Sequence, residues 1–104
     1  MIEKYRENKL DKMFQELSHN KLCAICGKVA NAIHHIVGRA NTYLRWDKQN
    51  SLPVCVPCHI KIHDGQVNVY NFISEDRIKY LENNRNVVFK PDDIFYKQKE
   101  KELR

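Results

Sequence analysis

Cys23-Ala-Ile-Cys26, Ala32-Ile-His34-His35-Ile-Val37 and Cys55-Val-Pro-Cys58-His59-Ile-Lys-Ile-His63 carry all four cysteines and four of the five histidines of the chain. One tetrahedral ion cannot use so many ligands, so two metals of different kinds are expected here. Zn²⁺ in a structural site takes four ligands and favours thiolates, and Cys23, Cys26, Cys55 and Cys58 close one such site. A catalytic ion keeps a position open and accepts neutral imidazoles. His34, His59 and His63 fit that description, with His35 left over.

Local patterns place these ligands on elements. Cys23-x-x-Cys26-Gly27 has the shape of a zinc knuckle, a tight turn that brings two thiolates to one ion and is relieved by the glycine. Residues 32–37 read as a short strand, whose alternation sends His34 and His35 to opposite faces or splays them. Residues 51–55 read as a second strand. After Pro57 a short helix over 58–64 should stop near Gly65, and it sets His59 and His63, four apart, on one face.

Composition bounds the rest. A chain of 104 residues makes one domain, 1–104, with a modest core that a metal can staple. No apolar run approaches the roughly 18 residues of a membrane span. The start, MIEKYRENKL, has no apolar signal core, so a cytoplasmic location is expected, where paired CxxC motifs read as zinc ligands rather than disulfides. The formal net charge is +5, and residues 1–70 hold ten basic and six acidic side chains against eight and seven in 71–104. The excess sits with the motifs and favours a polyanionic partner such as nucleic acid.

The flanks read as helices. Leu10, Met13, Phe14 and Leu17 follow one helical stripe, so residues 3–18 should pack as an amphipathic helix. His19 lies just past its end, a helix-terminal residue rather than a ligand. The apolar segment from Val67 to Ile73 has no single period. Ser74-Glu-Asp76 reads as an N-cap, residues 86–89 as a short extended piece, and Pro91-Asp-Asp93 as another helix start, giving a helical region over 74–104.

The run HHIVGRANTYLRWDKQNSLPVCVPCHIKIH resembles the HNH endonuclease motif, a ββα-metal nuclease core, in its variant with a four-cysteine structural zinc. His34-His35 matches the paired start, Asn50 the central asparagine, and His59 and His63 the closing histidines. Fifteen positions separate His35 from Asn50, nine more reach His59 and four more His63. The likeness covers residues 22–65. It implies an α+β fold, a ββα-metal centre with treble-clef-like zinc knuckles flanked by N- and C-terminal helices.

By the same resemblance His34, His59 and His63 bind one catalytic divalent ion, which can be Mg²⁺, Mn²⁺, Zn²⁺ or Ni²⁺. His35 is the general base, and Asn50 holds backbone groups of the loop between the strands. The implied reaction is hydrolysis of phosphodiester bonds in duplex DNA with low sequence specificity, leaving a 5′ phosphate and a 3′ hydroxyl. A monomer is expected and should nick; a double-strand break requires a dimer. Arg39, Arg45 and Lys48 are the candidate phosphate contacts. Trp46 and Leu44 read as core caps rather than base-stacking groups. Small free-standing proteins of this kind point to phage DNA processing or packaging proteins as partners. The alternative is a non-catalytic zinc module that binds nucleic acid or scaffolds a phage complex, which would need the cysteines but neither His35 nor Asn50.

Overall fold

Leu10 and Phe14 turn inward from a helix, α1 (Ile2–Gln15), that tightens into a 3-10 turn at Glu16–Ser18, close to the expected 3–18. The computed structural model describes residues 2–104, with side chains from Lys4 onward; position 1 of the expected domain lies outside them. Three further helices follow, α2 (Val56–His63), α3 (Glu75–Asn84) and α4 (Asp93–Leu103). The sheet has two strands, β1 (Ala32–His35) and β2 (Ser51–Val54). The described residues therefore form an α+β fold. Among them no helix is long and apolar enough to cross a membrane.

β1 and β2 pair antiparallel, with Ile33 opposite Pro53, His34 opposite Leu52 and His35 opposite Ser51. Proline lacks an N–H, and it is tolerated here because position 53 does not have to donate to β1. The Ile33 backbone points the other way. Its N–H and C=O are both taken by the Gln15 side-chain amide, at 2.9 and 3.1 Å. α1 thus covers the open edge of β1 and is locked to it in register.

Strand β1 ends two residues before the expected 37 because the Val37 N–H is taken by the Asn50 side chain. β2 stops at Val54 because Cys55 is the N-cap of α2, which starts two residues earlier than expected. Pro57 in its first turn needs no N–H partner. The helix ends with Gly65 in the left-handed region (φ +78°). Gly65 N–H donates to Ile62 C=O (3.1 Å) and Gln66 N–H to Lys61 C=O (2.9 Å), the paired bonds of a Schellman stop.

Three apolar clusters hold these elements together. Leu10 and Phe14 of α1, Ile33, Trp46, and Tyr96 and Leu103 of α4 form the first. Leu52, Val54 and Val69 pack with the buried cysteines in the second, and Val37, Leu44 and Leu81 make the third. Trp46 and Leu44 are fully buried, as core residues. Each large side chain so buried contributes about 1.5–3 kcal/mol.

The C-terminal part keeps both expected helix starts, at Ser74 and at Asp92. The apolar segment after Gly65 forms a 3-10 turn, Val69–Phe72, capped by Asn68. Ser74 caps α3 and Asp92 caps α4, their side chains accepting from Arg77 N–H (3.2 Å) and Phe95 N–H (2.8 Å). The 86–89 piece joins no strand; it is held to the loop after β1, where Thr42 Oγ1 donates to Phe89 C=O at 2.7 Å. α4 packs against α1. It buries Leu103, and Lys9 of α1 pairs with Glu100 of α4 at 2.7 Å.

Candidate functional site

Two knuckles bring the four cysteines together. In the first, Gly27 adopts φ +81° and its N–H bonds back to Cys23 C=O at 2.9 Å, while Leu22 and Val29 bridge across the turn. The second is the β2–α2 junction, with Cys55 as N-cap and Cys58 in the first helical turn. Ala24 N–H bonds Pro53 C=O at 2.9 Å and fastens one knuckle to the other.

The four Sγ atoms lie within 4.8 Å of one another, and Cys26 and Cys55 are 3.6 Å apart. Tetrahedral Zn–S bonds of about 2.3 Å put sulfurs about 3.8 Å apart, so the set can hold a structural metal such as zinc. No disulfide joins the four cysteines. Burial raises the Cys23 thiol, but hydrogen bonds from the Cys26, Cys55 and Ile25 backbone outweigh it and bring it down to about 6. The Cys58 thiol is pushed up, by desolvation first and then by the hydrogen bonds it shares with the other three. Four thiols crowded together cannot all ionise unaided, and a divalent cation removes that obstacle.

Three of the histidines form a second group. His34, on β1, meets the rings of His59 and His63 edge-on at 5.3 and 5.2 Å between centroids. His59 Nε2 and His63 Nε2 are 3.1 Å apart, as one helical turn allows. One nitrogen from each of the three lies within 4.8 Å of the other two. Nitrogens on one ion at about 2.0–2.1 Å sit roughly 3–3.4 Å apart, so small rotations of the rings converge them. His34 is pushed down to about 4, by burial first and then by His59, His63 and His35. His59 is lowered by burial and by His63. At neutral pH both present lone pairs rather than charges.

His35 points to the opposite face of β1, as alternation requires. Its ring stacks on Phe14 of α1, with centroids 4.6 Å apart and planes 19° apart. Its Nε2 lies 2.9 Å from the carbonyl oxygen of Arg45. A carbonyl can only accept, so Nε2 carries the proton and Nδ1 the lone pair. Burial lowers the His35 pKa, the Arg45 carbonyl opposes that, and the Arg39 charge lowers it further. His34, His35, His59 and His63 line one cavity of about 440 Å³, together with Arg39 and Asp11 among others.

Asn50 is fully buried and ties the loop between the strands. Its Oδ1 accepts from Val37 N–H at 2.6 Å, and its Nδ2 donates to the carbonyls of Val37 (2.9 Å) and Leu44 (3.1 Å). Below it, Asp47 caps the 3-10 turn Lys48–Asn50 and accepts from the Tyr80 hydroxyl.

The three candidate phosphate contacts separate. Arg39 lines the cavity and is 61% exposed, with one bond to Asp11 at 3.0 Å. Lys48 is exposed but does not line the cavity. Arg45 is 15% exposed, and its guanidinium is committed to Asp11 (3.1 and 2.6 Å) and Glu7 (3.2 Å) while lying over Trp46. It braces the loop against α1. Sequence reading missed Asp11 and Gln15, which α1 contributes to the cavity. Their spacing of four on the helix was the available signal.

No family model matches the chain, and no solved structure matches it. A stretch of 64 residues is 30% identical to a mitochondrial DNA mismatch repair protein mutS homolog of Sarcophyton glaucum. That likeness covers 57% of this chain but only 6% of the relative.

Proposed function

We propose that this protein is a metal-dependent endonuclease of the HNH, ββα-metal type that hydrolyses phosphodiester bonds in duplex DNA. The carrying observation is the convergence on one cavity of three imidazoles able to share an ion with a fourth whose tautomer is set by a backbone carbonyl. The succession of β1, β2 and α2 and the four-cysteine cluster support the same reading. The mutS homolog is named for DNA mismatch repair, which agrees with a DNA substrate.

His34, His59 and His63 would hold the catalytic ion. Bound there, a divalent cation supplies positive charge for the developing oxyanion and the leaving 3′ oxygen. His35 Nδ1 accepts a proton from the attacking water, its Nε2–H remaining bonded to the Arg45 carbonyl. Arg39, the exposed cation at the cavity, grips a phosphate and aligns the strand. Asn50 keeps the loop, and with it the Arg45 carbonyl, in place. A single site cuts one strand, so the expected product is a nick.

Supercoiled plasmid incubated with the protein and Mg²⁺, Mn²⁺, Zn²⁺ or Ni²⁺ tests this, beside His35→Ala and an EDTA control. Open circles that need the metal and disappear in the variant support the proposal. Intact plasmid under all four metals, from folded protein, returns the chain to a zinc module that binds nucleic acid without cutting it.

A further inference from the structure

We propose that Asp11 is a positioning residue for His35, acting through the Arg45–Trp46 peptide; this rests on the reading of His35 as the general base. Asp11 sits on α1, 24 positions before His35 in the chain. Its Oδ1 accepts from Arg45 Nε (3.1 Å) and from Trp46 Nε1 (2.9 Å), and its Oδ2 accepts from Arg45 Nη2 (2.6 Å). Those two side chains flank a single carbonyl, Arg45 C=O, the group that receives His35 Nε2–H.

A planar peptide moves only by rotation about the dihedrals on either side of it. When the side chains at both ends are tied to one carboxylate, that rotation is resisted from both ends. Glu7, one helical turn earlier, adds a bond to Arg45 Nη1 at 3.2 Å. Phe14, three residues after Asp11 on the same helix, stacks on the His35 ring. One face of α1 therefore sets both the plane of the ring, through Phe14, and the nitrogen that keeps the proton, through Asp11. If the carbonyl drifts, His35 can rotate or exchange tautomers, and Nδ1 no longer presents a lone pair at a fixed place.

The test compares the wild-type full chain, zinc-loaded, with Asp11→Asn and Arg45→Lys. Nicking rates are measured against DNA concentration, and the His35 ring N–H is followed by nuclear magnetic resonance. In wild type the proton should sit on Nε2 and exchange slowly with water. Both variants should lower kcat about 10- to 100-fold with KM changed less than about twofold, and the Nε2–H should exchange faster. A loss confined to KM would mean that Asp11 acts through Arg39 on substrate, and would overturn the proposal. Unchanged kcat and unchanged proton exchange would overturn it as well. A wild-type ring proton on Nδ1 does so without any variant, even if Asp11→Asn fails to fold. If the wild type does not cut DNA, the nuclease reading falls, and the proton-exchange arm still decides whether Asp11 and Arg45 hold His35.

Discussion

The side-chain amide of Asn50 closes on both backbone polar groups of Val37, accepting from its N–H at 2.6 Å and donating to its C=O at 2.9 Å. It mimics one more rung of the β1–β2 ladder after the strands have parted. With the further bond to Leu44 C=O it pins the loop that carries the Arg45 carbonyl.

Asn50→Ala should therefore destabilise the protein by about 2–4 kcal/mol, because three buried backbone groups lose their partner and cannot reach water. Asn50→Asp should fare no better, since a carboxylate facing two carbonyl oxygens replaces a donor. Urea unfolding of the zinc-loaded variants checks both. A cost under about 0.5 kcal/mol for the alanine variant would show that the loop holds without the amide.

The two ligand sets should separate by chemistry. The purified protein is expected to retain about one tightly held zinc per chain when His34, His59 and His63 are all replaced by alanine, whereas Cys58→Ser should lose it and unfold. Titrating Mn²⁺ or Ni²⁺ into the zinc-loaded wild type should reveal one further site. That site should weaken at least about tenfold in His59→Ala. Elemental analysis and calorimetry make the comparison.

Arg39 and Arg45 should respond oppositely to removal. Arg39→Ala should reduce the slope of log affinity for DNA against log salt by about one while leaving stability within about 0.5 kcal/mol, because its guanidinium is largely exposed. Arg45→Ala should instead cost about 2 kcal/mol or more in stability, leaving Asp11 short of its main partner. Equal salt slopes for wild type and Arg39→Ala would remove Arg39 from the DNA interface.

Tyr80 gives the stability an alkaline limb. Its pKa is raised well above the usual 10, by burial first and then by its hydroxyl bond to the Asp47 carboxylate. A group whose folded pKa exceeds its unfolded one contributes fully below the unfolded value and loses that contribution as pH climbs toward the folded one. Between pH 10 and the folded value wild-type stability should fall by up to about 1.4 kcal/mol per pH unit on this account. Tyr80→Phe should lack that part of the slope. Parallel curves for the two proteins from pH 9 to 11 would contradict it.

Much of the site is readable along the chain because its parts are short-range. A CxxC followed by glycine closes a knuckle, as Gly27 at φ +81° does. A spacing of four puts His59 and His63 on one helical face, and Gly65 stops that helix within the same turn. Ser74 and Asp92 cap the helices that follow them. Each depends on residues at most a few positions apart, so backbone geometry alone settles it.

The assignment of neighbours across the fold is another matter. Strand alternation separates His34 from His35, but only the packing of α2 on one face of β1 and α1 on the other directs His34 to the histidine pair and His35 to Phe14. Arg39 and Arg45 look alike as basic residues six apart; both reach Asp11 of α1, but one stays exposed at the cavity on that single bond while the other is drawn in against Asp11 and Glu7 together. Asp11 and Gln15 read as the polar side of an amphipathic helix, and it is docking against β1 that turns them to the cavity. Their partners lie 18 to 35 positions away in sequence. Contacts of that range are set by which apolar faces bury together, Leu10 and Phe14 against Ile33 and Trp46, and no local pattern encodes that choice.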